Sequence, residues 1–353
     1  MTEHENDAEF HELRAAAAKL PKSIEPPRDL WPGIEARIAV KERRGGETWR
    51  RVVEERRWVR RLAIPLAAAA LLAVVLLGRR GTIQPQRAWD VTRVAGVPRV
   101  GATRLGAAGA VGSLQAGDWL ETDDSSRAVI LVGDIGHVEV KPGTRIRLVR
   151  ARPDDHRLAL ARGAIYAKVD APPRLFFVET PAGTAVDLGC AYSLAVDSSG
   201  NGLIHVTGGY VEFDWSGRRS IVPLGFLAPA RPGLGPGTPY AEDAPEALRR
   251  ELVVLDFGTG GADAVRRALA AARAEDAVSL WHLLARVDGS LRAIVYDRLA
   301  GLVPPPPGVM RDAALRLDPG TLERYWSAIR RIAWRRVILR GVRDIDPRTG
   351  LSR

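Results

Sequence analysis

Hydrophobic and polar positions change rhythm three times along this chain. Between Arg60-Arg61 and Arg79-Arg80 runs LAIPLAAAALLAVVLLG, a stretch without a charged or hydrogen-bonding side chain. As a helix, 62–77 rises about 24 Å at 1.5 Å per residue, against a hydrocarbon core roughly 30 Å thick. Arg60, Arg61, Arg79 and Arg80 extend that reach by carrying their charged heads to the interfaces, where Trp58 also belongs. The pattern predicts a transmembrane helix over 61–80. From 89 onward the period becomes two: in HVEVKPGTRIRLVR, Val138, Val140, Ile146 and Leu148 alternate with Glu139, Arg145 and Arg147. Turn signals such as Gly133-Asp134, Lys141-Pro142-Gly143 and Ser216-Gly217 separate these runs, which predicts antiparallel hairpins rolled or stacked around one core. After 245 the period becomes helical, with Leu280, Leu283, Leu284 and Val287 on one line and four prolines, 304–307, breaking the helices.

The fold class expected is therefore mixed. A helical head (1–60) precedes one transmembrane helix (61–80). An all-β antiparallel, rolled or solenoid-like domain (88–232) follows, then a Gly/Pro-rich linker (233–244) and an all-α module (245–353). In the head, prolines 21, 26 and 27 hold the chain extended before Asp29, which is placed to cap a turn. Leu30, Trp31, Ile34 and Ile38 then form one apolar edge. So small a segment buries little by itself, so that edge is expected to lie on lipid or to dock on a partner.

Charge sets the expected orientation. Lys41, Arg43, Arg44, Arg50, Arg51, Arg56, Arg57, Arg60 and Arg61 precede the apolar run, whereas Arg79, Arg80, Arg87, Arg93 and Arg99 follow it. The positive-inside rule places the head in the cytoplasm and the tail outside. For a bacterial chain this means the inner membrane, with the β and helical parts in the periplasm. The net charge of +10 comes almost wholly from arginines spread along the chain. Only 41–61 is dense, and beside an apolar span it points to anionic lipid headgroups rather than to direct nucleic-acid binding.

Candidate chemistry is sparse. One cysteine, Cys190, excludes an internal disulfide and a cysteine-cluster zinc site; in its strand-like run it reads as a buried, inert thiol. The six histidines are scattered, without metal-ligand spacing, and no Gly-x-Ser-x-Gly elbow occurs. FGTGGAD (257–263) lacks the lysine of a phosphate loop and reads as a helix N-terminus with Asp263 in its first turn. Neither an enzyme nor a metal or cofactor is expected.

Five runs of the β region stand out: L-x-x-G-D-x-L-x-T at 114–122, AVILVGDIGHVEV at 128–140, LALARGAIYAKV at 158–169, FFVETPAGTAVDLGCAYSLAV at 176–196 and GGYVEF at 208–213. In their arrangement the β region resembles the FecR family of membrane regulators. Cys190 stands where the family usually has threonine. The resemblance covers about 90–230 and implies a single-span regulator of the anti-sigma kind. Its head would hold an extracytoplasmic-function sigma factor, while the β domain senses or relays a signal from an envelope protein or ligand not identified. LP-x-x-I-x-P-P-R-D-L-W-P-G-I-E-x-R-I at 20–38 looks like heads of that class. The head lacks a His-Cys-Cys zinc motif, and the tail ends in helices rather than in the small α/β domain that docks on outer-membrane transporters. A rival reading is an envelope structural or binding protein whose β and helical modules hold glycan or protein while the head only anchors. Trp119, Tyr192, Tyr210 and Trp215 on one exposed face would favour it.

Overall fold

Period-two alternation gives each strand one wet and one dry face, and two such sheets close over a common core. A computed structural model of the chain describes residues 88–343, and their side chains as far as 332. The head residues Leu30, Trp31, Ile34 and Ile38 lie outside the described residues, as do the expected membrane helix and its flanking Trp58, Arg60, Arg61, Arg79 and Arg80. Among the described residues no helix is long and apolar enough to cross a membrane. What is described is a mostly β domain with a C-terminal helical part, within one compact unit.

Strands are numbered in chain order. One sheet runs β4 (Val111–Leu114), β1 (Trp89–Ala95), β6 (Arg127–Leu131), β7 (Gly136–Val140), β9 (Asp155–Val169), β12 (Cys190–Val196), β13 (Gly202–Gly208) and β16 (Phe226–Arg231). The other runs β3 (Thr103–Arg104), β2 (Arg99–Val100), β5 (Trp119–Glu121), β8 (Arg145–Arg152), then β9 again, β10 (Phe176–Thr180), β11 (Gly183–Asp187), β14 (Tyr210–Trp215) and β15 (Arg218–Pro223). Pairing is antiparallel except between β9 and β10, which run parallel. That pair departs from the all-antiparallel expectation, because the chain returns from the far end of β9 to lie beside its beginning.

β9 belongs to both sheets. Its first half pairs with β8 and its second half with β7 and β12. The change of sheet falls at Gly163, whose φ is +92° and whose absent Cβ would stand 2.4 Å from the Thr144 Cα. Only glycine tolerates both the conformation and the approach. The Thr144 hydroxyl closes the corner by accepting the Ala164 N–H and donating to its carbonyl, each at 3.0 Å.

The alternation expected around 138–148 holds: Val138, Val140, Ile146 and Leu148 are buried, while Arg145 and Arg147 are exposed. They join Leu120, Ile130, Leu158, Ile165, Phe176, Leu194 and Phe213 in the core. The stretch 233–244, expected to be a linker, is instead packed. It contributes β17 (Gly235–Pro236) and β18 (Tyr240–Ala241) to β16, and Thr238 within it is fully buried. Its glycines and prolines shape a tight path along the sheet rather than a spacer.

The helices are α1 (Glu246–Phe257), α2 (Ala262–Ala271), α3 (Ala277–Leu284), α4 (Gly289–Leu302), α5 (Arg311–Leu315) and α6 (Pro319–Arg343). Asp263 sits in the first turn of α2, as the sequence implied. Asp288 caps α4 by accepting the Leu291 N–H at 3.1 Å. α6 docks through Tyr325, Trp326 and Ile329, and the Tyr325 hydroxyl donates to the Val303 carbonyl at 2.6 Å.

Candidate functional site

The outer strand of the second sheet, β15, has one unpaired edge, a feature that proteins usually cover. Here the helical part covers it with side chains. The Ile221 N–H donates to His282 Nε2 at 2.9 Å, and the His282 Nδ1 faces the Val278 carbonyl at 2.9 Å. An acceptor at Nε2 fixes the neutral tautomer, with the proton on Nδ1. Burial and the neighbouring Arg286 cation pull the His282 pKa down to about 3. The Trp281 and Trp326 rings lie edge-on, 4.9 and 5.9 Å from the imidazole.

Beside this contact lies a buried polar joint. Asp256, at the end of α1, accepts from the Thr238 N–H at 2.6 Å and the Thr238 hydroxyl at 3.1 Å. It also accepts from Arg218 Nη2 at 2.8 Å and Arg286 Nη1 at 2.7 Å. Arg286 reaches further, from Nη2 to the Ser220 hydroxyl at 2.7 Å, and that hydroxyl donates to the Gly237 carbonyl at 2.7 Å. Burial lowers the Arg286 pKa and Asp256 opposes the shift, so the guanidinium stays charged and depends on that carboxylate. One carboxylate thus ties β15, the 233–244 segment, α1 and the turn after α3. Such a network fixes a single relative placement of the sheet and the helices.

At the other end of the second sheet is an open groove of about 270 Å³, lined by Arg99, Gly101, Gly117, Asp118, Trp119, Glu121 and Arg145. The Arg145 and Arg147 guanidinium carbons lie 4.2 and 5.2 Å from the Trp119 ring centre. Glu121 pairs with Arg99 and, at 3.1 Å, with Arg145. The result is a cross-strand ladder of charges around one aromatic, in which Glu121 bridges Arg99 and Arg145 and the Trp119 ring faces Arg145 and Arg147.

Cys190 is buried, and its thiol donates to Asp187 Oδ2 at 2.5 Å. Burial and the Asp187 charge raise the thiol pKa, so thiolate chemistry is suppressed. Tyr192 is fully buried, whereas Trp215 is 38% exposed; the four aromatics that would mark a binding face are therefore not on one exposed surface. Among the described residues, no three His, Cys, Asp or Glu side chains are grouped to hold a metal.

None of the joint residues was singled out from sequence, since Arg218, Thr238, Asp256, His282 and Arg286 are far apart along the chain. One signal was present. The buried line of α1 reads Leu248, Leu252, Asp256, and a carboxylate at the third position of an apolar stripe needs a buried partner.

The architecture is that of a β domain closed at one edge by helices. Residues 118–212 match the family model of the FecR protein, and this part of the chain is a FecR-type domain. Two crystal structures of a putative anti-sigma factor from Parabacteroides distasonis ATCC 8503, at 1.65 and 2.50 Å resolution, are similar at 18% identity and a TM-score of 0.32. The similarity covers 36% of this chain and 60% of that one, so the chain spans less than two thirds of that protein. No curated protein matches the chain.

Proposed function

We propose that the chain is a single-span membrane regulator of the anti-sigma kind. The FecR-type domain at 118–212 is the observation that carries this reading, since that family's domains serve regulation rather than catalysis. The apolar run at 62–77 and the arginine excess before it support a cytoplasmic head and an outer β domain. In this arrangement Leu30, Trp31, Ile34 and Ile38 contact an extracytoplasmic-function sigma factor, and Trp58, Arg60, Arg61, Arg79 and Arg80 flank the bilayer. The β domain receives an envelope signal, and the Asp256 joint makes the sheet and the helices respond as one body. The test is capture on immobilised 1–60: recovery of a sigma factor supports the proposal. A head that partitions onto anionic vesicles yet recovers no sigma factor sinks it.

A second reading has one observation in its favour. Trp119 borders an open groove at the sheet edge, as a surface that holds glycan or protein would require. On that reading the head is an anchor alone, and Trp119→Ala abolishes envelope binding without altering sigma-factor capture.

A further inference from the structure

The first residue of β1 and a histidine of β9 meet across one end of the two-sheet core. His156 stands in register with Ala151 on β8 and Phe176 on β10, both buried, so its ring is on the inner face of the second sheet. From the first sheet it is met by Trp89, which is 2% exposed; the ring centres lie 5.8 Å apart with planes inclined by 37°. Trp89 and Asp90 pair with β4 alone, since β6 joins β1 only from Val91 onward. The start of β1 is therefore held by a four-residue strand and by this ring contact. In the sequence only 81–88 separate it from Arg80.

His156 Nδ1 is buried and has no hydrogen-bond partner among the described residues. A neutral imidazole can present a bare lone pair there, with its proton on Nε2. An imidazolium carries an N–H at both nitrogens, and the one at Nδ1 would be buried with nothing to accept it. The charged groups around the ring do not lift this restriction. On its own strand Asp155 is bonded to Arg150 of β8 and lies 3.5 Å from Arg157. Arg157 also takes Glu179 of β10, while Arg174, just before β10, is paired with Glu212. Arg152 of β8, Asp154 in the turn and Asp90 of β1 are exposed, and β4 carries no charge. Burial lowers the pKa of the ring below its ordinary 6.5, against the smaller pull of Asp155 and Asp154. The backbone is anchored separately, because the His156 N–H donates to the Leu175 carbonyl at 2.9 Å. The ring can turn without its strand moving.

We propose that His156 is a proton-operated catch on the entry strand of the β domain: the neutral ring holds Trp89 across the end of the core, and the protonated ring turns out to water and releases the start of β1. This deepens the regulatory reading above by naming the signal, a rise in proton activity in the envelope, and rests on that reading only for what the release then does. The proton binds the released state more tightly. Between the pKa values of the two states, each unit of pH lost therefore favours release about tenfold.

The test is hydrogen–deuterium exchange of the full chain in lipid nanodiscs between about pH 8 and about pH 5, the range in which histidine titrates, with rates corrected for the intrinsic effect of pH. The interior strand β12 is the internal reference, because global loosening in acid, including that from His282, lowers protection there too. Protection at the start of β1 relative to β12 is expected to fall with pH, by up to about tenfold per unit. His156→Phe keeps an aromatic ring against Trp89 and cannot titrate, so its ratio should be the same at every pH. His156→Gln, smaller and also without a titrating ring, should give a constant ratio at a lower level. A ratio independent of pH in the unaltered chain overturns the proposal, as does a fall that persists in either variant. Sigma-factor capture by the same preparation is read separately: no capture at any pH counts against the regulatory reading and leaves the exchange result to judge the catch.

Discussion

Removing the Asp256 carboxylate is the most informative perturbation of the folded unit. Its side chain is 2% exposed and bonds Arg286, itself 10% exposed, at 2.7 Å. Asp256→Ala leaves Arg286 charged and buried with the Ser220 and Thr238 hydroxyls and the Arg219 carbonyl as its remaining acceptors, and frees the Thr238 N–H of its partner. Breaking one side of a buried pair in this way costs about 3–5 kcal/mol. Arg218 adds little, because at 35% exposure it can turn to water. The loss should appear as a lowered urea midpoint and as earlier proteolysis within the helical part. Adding Arg286→Met removes the stranded cation, and most of the loss should be recovered in the double variant. A single-variant loss below about 1 kcal/mol, or a double variant no better than the single, refutes the view that this pair fastens helices to sheet.

Further consequences can be checked separately. His282 accepts a backbone N–H while neutral, and its pKa falls from 6.5 to about 3 on folding. The unfolded chain therefore binds the proton first: stability is complete above pH 6.5 and declines toward pH 3 by about 1.4 kcal/mol per unit from this group. Denaturation at a series of pH values should show that slope, and His282→Gln, which can still accept the N–H, should flatten it. Gly163→Ala places a methyl 2.4 Å from the Thr144 Cα at φ +92°; a loss of about 2–4 kcal/mol is expected in thermal unfolding, and an unchanged midpoint would remove the sheet-switching role. Tyr325→Phe leaves the Val303 carbonyl without its 2.6 Å donor and should cost about 1–2 kcal/mol by the same assay.

The β architecture was legible because its evidence is local. Alternation at 138–148 and turn residues every several positions require no knowledge of distant partners, whereas the corner at Gly163, where β9 changes sheet, depends on the close approach of Thr144 and was not read from the sequence. The parallel β9–β10 pair was not legible, since register between strands joined by a return segment depends on where the chain comes back. The stretch 233–244 was misread for a related reason. Glycine and proline signal turns, but whether a turn-rich path hangs free or packs is decided by neighbours. Here those neighbours are β16, Asp256 and Arg286, distant in sequence. Asp256 on the stripe of Leu248 and Leu252 was the single visible sign of the joint.

Capture of a sigma factor by the full chain in its native membrane tests the central proposal most directly. Purified from cells with Leu30, Trp31, Ile34 and Ile38 intact, the protein should carry an extracytoplasmic-function sigma factor in near-equal amount. Alanine at those four positions should reduce the captured amount at least tenfold while leaving the chain in the membrane. No sigma factor on the intact chain, or equal capture by the alanine variant, would contradict it.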